Sequence, residues 1–234
     1  MFFTLLLAVM AASITLFYTM SSAQTGDEIW VKRYNGPAKG DDAARAMAVD
    51  KSGNVYVTGE SPGSGTYRDY ATIKYSSSGN QLWIKRYNGP GNRDDYAAAL
   101  ALDGSGYVYV TGYSKAPGTG YDYATIKYNS SGKQLWVRRY NGPGNGDDFA
   151  CALAVDKSGN VYVTGESPGL STYRDFATIK YSSSGKQVWV KRYNGPGNGD
   201  DGAEAISVDS AGHVCVSGYS KGSGTGYDYT VIKY

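Results

Sequence analysis

Carboxylates in pairs are the first feature with chemical potential. Asp41-Asp42, Asp94-Asp95, Asp147-Asp148 and Asp200-Asp201 each follow a Gly-rich "NGP" loop. Four such pairs meeting near an axis would suit a hard divalent cation, because carboxylate oxygens suit calcium. The candidate metal ligands among them are Asp42, Asp95, Asp148 and Asp201. The alternative is turn chemistry, in which Asp side chains cap backbone N–H groups ahead of a strand. No Asp-x-Asp-x-Asp calcium loop is present. The expectation is no cofactor, with calcium the ion the pairs would accept.

A second set is aromatic and basic. Tyr67-Arg68 and Tyr173-Arg174 lie in "ESPG" loops, whereas Tyr121 and Tyr227 lie in "YSK…GTGYD" loops. Tyr and Arg dominate binding hot spots, so these six residues are candidates for stacking on sugar rings or contacting a peptide. Packing of loops against neighbouring elements is the competing reading.

Catalytic chemistry has less support. His213 is the only histidine, which removes most triad, His-metal and His general-base mechanisms. Carboxylate-pair glycosidase chemistry survives, but the acids sit at repeated positions, as structural residues do. No catalytic residue is assigned. Cys151 and Cys215 belong to no spaced framework, and two separate thiols are expected. A net charge of +2 without a basic stripe excludes a dedicated nucleic-acid binder.

The elements that position these residues recur every 53 positions. Trp30, Trp83, Trp136 and Trp189 open "WVKRYNGP", "WIKRYNGP", "WVRRYNGP" and "WVKRYNGP", and "VYVTG" and "DYATIKY" keep the same step without insertion. Each repeat holds four short runs of alternating β-formers. Two tight connections, such as "DGSG" at Asp103 and "NSSGK" at Asn129, are hairpin turns. Four antiparallel strands at this period read as a propeller blade, which must stack on neighbours to bury both faces. The prediction is an all-β propeller of four four-stranded antiparallel blades, over 43–88, 96–141, 149–194 and 202–234. A strand over 27–35 is expected to complete blade 4 and close the ring. That segment starts on a fourth strand, the chain ends on a third, and residues 24–234 are one short of four repeats. An Arg45–Glu204 ion pair across the closure is a further expectation. An eight-bladed ring from two chains and a fragment of a longer array are the alternatives, so the assembly is a monomer or a ring-completing homodimer. The alternation in "WVKRYN" puts Lys and Arg on an outer edge, where they would discourage pairing with other chains.

The run "AVDKSGNVYVTG" at Ala48 and Ala154 resembles the secreted bacterial β-propeller repeat called SBBP, over essentially all of 24–234. The hairpin "IKYSSSGKQVW" from Ile179 is similar to the tryptophan-bearing turn of quinoprotein propeller blades. The resemblance implies a propeller, a secreted location and long connections gathered on one rim; it implies no activity.

Residues 1–23 form an uncharged apolar run ending in Ser21, Ser22 and Ala23. They read as a signal peptide cut after Ala23, with an uncleaved anchor as the alternative. The expected product is a secreted, periplasmic or cell-surface protein that is free of the membrane after cleavage. Its expected role is a non-catalytic module that binds a protein or glycan through its loop rim. A carbohydrate-binding or carbohydrate-active propeller, or a quinoprotein-like enzyme, is the rival. An enzyme should show unmatched polar residues concentrated on one rim.

Overall fold

The computed structural model describes residues 26–234; the signal peptide expected over 1–23 lies outside them. Residues 32–234 form one compact unit, and the described part of the other, 26–31, contains no regular element. Blade 1 comprises β1 (Ala43–Val49), β2 (Val55–Pro62), β3 (Arg68–Tyr75) and β4 (Gln81–Tyr87). Blade 2 comprises β5 (Asp95–Leu102), β6 (Val108–Ala116), β7 (Gly120–Tyr128) and β8 (Gln134–Tyr140). Blade 3 is β9 (Phe149–Val155), β10 (Val161–Pro168), β11 (Arg174–Tyr181) and β12 (Gln187–Tyr193), and blade 4 is β13 (Gly202–Val208), β14 (Val214–Lys221) and β15 (Tyr227–Lys233). Each sheet is an antiparallel meander in chain order.

The hairpin turns follow from side-chain chemistry. Asp50 Oδ1 accepts from the N–H groups of Ser52 and Asn54 at 2.9 Å each, and Gly53 supplies the left-handed residue at φ 76°. The Gly of "VTG" has a different cause. The first strand bulges opposite it, and a Cβ on Gly112 would lie 2.0 Å from the Tyr96 carbonyl oxygen.

Blades stack through one repeated junction. Tyr56 and Tyr70 of blade 1 pack on Ala97, Val108 and Val110 of blade 2. Tyr109 and Tyr123 pack in the same way on Ala150, Val161 and Val163, and Tyr162 and Phe176 on Ala203, Val214 and Val216. Tyr70 and Tyr123 donate their hydroxyls to the carbonyls of Ala124 and Ala177 in the next blade, at 3.2 and 3.3 Å. Trp83 and Trp136 also reach forward, their indole N–H groups donating to Ser130 and Ser183 carbonyls at 3.1 and 3.2 Å. A blade therefore buries its tyrosines only when a neighbour is present.

Two expectations change here. Blade 4 has three strands: residues 26–35 form no strand, and β15 pairs with β14 alone. Arg45 bonds Glu60 of its own blade, with Nη2–Oε1 at 2.5 Å, and does not reach Glu204. Blade 1 places Glu60 directly opposite Ala43 in the β1–β2 ladder, close to Arg45, so the local partner wins.

Candidate functional site

The Asp pairs divide their work between two blades. The second Asp turns its own loop: Asp42, Asp95, Asp148 and Asp201 accept from the N–H groups of Gly36, Gly89, Gly142 and Gly195 at 2.6–3.0 Å. The first Asp grips the preceding blade, for Asp94, Asp147 and Asp200 accept from the N–H groups of Arg68, Tyr121 and Arg174. Burial raises the Asp95 and Asp148 carboxyls to about 6. Among the described residues no group of three or more His, Cys, Asp or Glu is placed to hold a metal ion.

In three of its four copies the "RY" of the motif is a clasp within the blades, not an edge of free charge. Arg139 donates to Ser114 Oγ at 2.6 Å, to the Ser114 carbonyl at 2.8 Å and to Asp122 Oδ2 at 3.0 Å. It also donates to the Tyr87 hydroxyl of the preceding blade at 3.0 Å. Arg86 and Arg192 repeat the arrangement on Ser61, Asp69 and Tyr34, and on Ser167, Asp175 and Tyr140. Period-two alternation shows which side a residue faces, but not that a serine and a carboxylate wait there.

The rim residues meet at the junctions between blades. At the junction of blades 1 and 2, Glu60, Arg68, Asp94, Tyr113 and Tyr121 occupy the repeat positions that Glu166, Arg174, Asp200, Tyr219 and Tyr227 occupy between blades 3 and 4. The two sets are identical in type but not in packing. In the first, Arg45 forms a second ion pair with Glu60, whose side chain is 0% exposed. Tyr96 fills the remaining space, its ring 5.2 Å from Tyr113 and 6.2 Å from Tyr121. Between blades 3 and 4 the residue matching Arg45 is Cys151, and the residue matching Tyr96 is Gly202.

At this junction lies a cleft of about 340 Å³, lined by Glu166, Arg174, Asp200, Tyr219 and Tyr227, with the Tyr219 ring lying against Gly202, where a Cβ would stand 2.5 Å from its Cζ. Glu166 keeps one ion pair, to Arg174, and its side chain is 19% exposed. The Tyr219 hydroxyl stands 3.5 Å from the other carboxylate oxygen. Burial raises the Glu166 carboxyl above its ordinary range, against the lowering effect of Arg174. Tyr219 and Tyr227 meet edge to face at 5.4 Å, presenting aromatic surface beside the charged groups. Between blades 2 and 3 Phe149 fills the corresponding space, packed 4.8 Å from Tyr113, with the Arg174 guanidinium over its ring.

Of the six rim residues singled out from sequence, Arg174 and Tyr227 line the cleft. Arg68 and Tyr121 lie at the filled counterpart, while Tyr67 and Tyr173 stand exposed on their loops. Glu166, Asp200 and Tyr219 were not singled out as binding residues. The signal for them was the loss of a side chain along Ala43, Tyr96, Phe149 and Gly202. Cys151 and Cys215 are free thiols, and Cys151 lies 2.7 Å from the Ala203 carbonyl oxygen.

The repeated junction and the meander sheets define a β-propeller repeat protein. The β-propeller repeat family SBBP matches residues 29–65, 82–118 and 135–169, within three successive repeats of the chain. No curated protein matches the chain. Among solved structures, a protein of unknown function from Dyadobacter fermentans is similar at 9% identity and TM-score 0.49, over 80% of this chain and 59% of that one. A catalytically inactive virginiamycin B lyase from Staphylococcus aureus with quinupristin is similar at 13% identity and TM-score 0.46, over 83% and 56%. A GH43 β-xylosidase/α-arabinofuranosidase from a compost microbial metagenome is similar at 13% identity and TM-score 0.45, over 81% and 73%. The chain spans from 20% to 59% of the length of the first five similar structures. No helix among the described residues is long and apolar enough to cross a membrane.

Proposed function

We propose that this protein is an exported binding module that receives a saccharide in the cleft between blades 3 and 4. One observation carries the reading. Five residues of identical type occur at two junctions, and only one junction loses the side chains that would fill it. Two repeats earlier the same positions hold Tyr96 and Arg45. A carboxylate, a guanidinium and a second carboxylate offer paired acceptors and donors for ring hydroxyls, and two tyrosines offer apolar surface for a sugar face. The apolar run at 1–23 supports export.

The test is an array of neutral and acidic oligosaccharides, followed by calorimetry with the strongest binder. Wild-type protein is expected to bind, and Gly202→Tyr, which copies blade 2, is expected to abolish binding with the fold intact. Binding unchanged in that variant would place the ligand elsewhere. A second reading is hydrolysis of the bound saccharide, favoured by Glu166 with its raised carboxyl and Asp200 in the same cleft. Release of reducing ends, lost in Glu166→Gln, would select that reading over simple binding.

A further inference from the structure

The two ends of the blade series carry unpartnered halves of the junction that is buried three times inside it. On blade 4, Tyr229 is 102% exposed and Val231 72% exposed. The residues matching Tyr229 are Tyr70, Tyr123 and Phe176, each buried against the following blade. On blade 1, Met47 and Val49 are 63% and 56% exposed. The residues matching them, Leu100 and Leu102, Leu153 and Val155, and Ile206 and Val208, pack on the preceding blade. One end thus presents the tyrosine side of the junction and the other presents the apolar side.

A polar clasp is unfilled at the same place. Ser220 is 3% exposed, yet its Oγ has no hydrogen-bond partner, whereas Ser61, Ser114 and Ser167 each accept from an arginine. Asp228 is exposed, although Asp69, Asp122 and Asp175 are buried with that same arginine. The arginine one repeat before Arg86 is Arg33, and it is exposed. Beside it, Tyr34 already accepts from Arg86 at 3.1 Å, and Gly36 already bonds Asp42. Residues 34–36 therefore hold the station that the end of a fourth strand holds at each inner junction.

We propose that the free face and outer edge of blade 4 receive blade 1 and residues 32–35 of a second copy of this chain, two copies closing head to tail into a ring of eight blades. Met47, Val49, Tyr229 and Val231 at the two end faces of a single copy are exposed, and residues 26–35 of the same chain add no strand to blade 4. Each contact of the new junction follows from the inner ones. Tyr229 packs on the second copy's Val55 and Val57, and its hydroxyl donates to that copy's Ala71 carbonyl. Arg33 of the second copy donates to Ser220, Asp228 and the Tyr193 hydroxyl. Asp41 of the second copy accepts from the Tyr227 N–H, as Asp94 does from Arg68. Two such junctions, related by a two-fold axis, leave no free blade.

The experiment is native mass spectrometry and analytical ultracentrifugation of the full chain. The expected species has twice the single-chain mass. A single-chain species at micromolar concentration, or assembly without limit, overturns the proposal. Tyr229→Asp and Arg33→Asp should each raise the dimer dissociation constant at least tenfold with the circular dichroism spectrum unchanged. Arg33→Asp combined with Asp228→Arg should return it to within about threefold of wild type. A dissociation constant unmoved by Arg33→Asp would overturn the assigned clasp.

Discussion

Replacing Arg139 by Met removes the centre of one clasp while keeping most of its apolar stem. The guanidinium makes four hydrogen bonds, to Tyr87, twice to Ser114 and to Asp122. Asp122 is 5% exposed, its Oδ1 has no partner, and Oδ2 bonds Arg139. Without Arg139 a buried carboxylate is left uncompensated, which costs about 3–5 kcal/mol. That is a large part of a stability on the order of 5–15 kcal/mol. Urea unfolding followed by tryptophan fluorescence should show the midpoint falling by roughly 1–2 M, for a slope of about 3 kcal/mol/M. Asp122→Asn should remove much of the penalty, so the double variant should be about 2 kcal/mol more stable than additivity predicts. A loss below about 1 kcal/mol in Arg139→Met, or a coupling near zero, would refute the clasp and return the motif to an exposed edge.

Three further outcomes follow from the packing. Asp95 and Asp148 have carboxyls raised to about 6 by burial, so the folded state binds their protons more tightly than the unfolded state. Their contribution to stability is therefore greatest below about pH 4 and is lost as pH rises to about 6, by up to about 3 kcal/mol each. Asp95→Asn with Asp148→Asn keeps an oxygen for each glycine N–H and should flatten that fall; an unaltered pH profile of unfolding would contradict it. Burial, with Glu204 and Glu166 nearby, pushes the Cys151 thiol up to about 12. Native Cys151 should then resist iodoacetamide at pH 8, carrying about a thousandfold less thiolate than an ordinary cysteine, and labelling at the rate of a free thiol would count against its placement. Gly112→Ala places a Cβ 2.0 Å from the Tyr96 carbonyl and should cost more than about 2 kcal/mol in the same urea assay, a neutral result ruling out the bulge.

The blades were legible because their causes are local and repeat at one interval. Alternating β-formers, Asp-x-x-Gly turns and a fixed spacing specify strand, turn and repeat without reference to anything distant. The site was less legible because each junction combines residues about 50 positions apart. Glu166 meets Tyr219 because blade 3 lies against blade 4, not because the two are near in sequence. The Asp pairs illustrate the same limit. Four pairs read together suggest a shared centre, yet the second Asp of each serves its own loop and, in the three later pairs, the first serves the blade before. Gly202 and Cys151 were visible as departures from the repeat. Their meaning appeared only once Tyr96 was seen to pack on Tyr113 and Tyr121, and Arg45 to pair with Glu60, at the matching positions.

The central claim is that Gly202 and Cys151 create a binding cleft from a repeat junction that is otherwise packed shut. The most direct measurement is calorimetric stoichiometry of the best-binding oligosaccharide, comparing wild type with Tyr96→Gly combined with Arg45→Cys. The account predicts one site per chain in the wild type and two in the variant, because blades 1 and 2 already carry Glu60, Arg68, Asp94, Tyr113 and Tyr121. A stoichiometry that stays at one, with the variant folded, would contradict it.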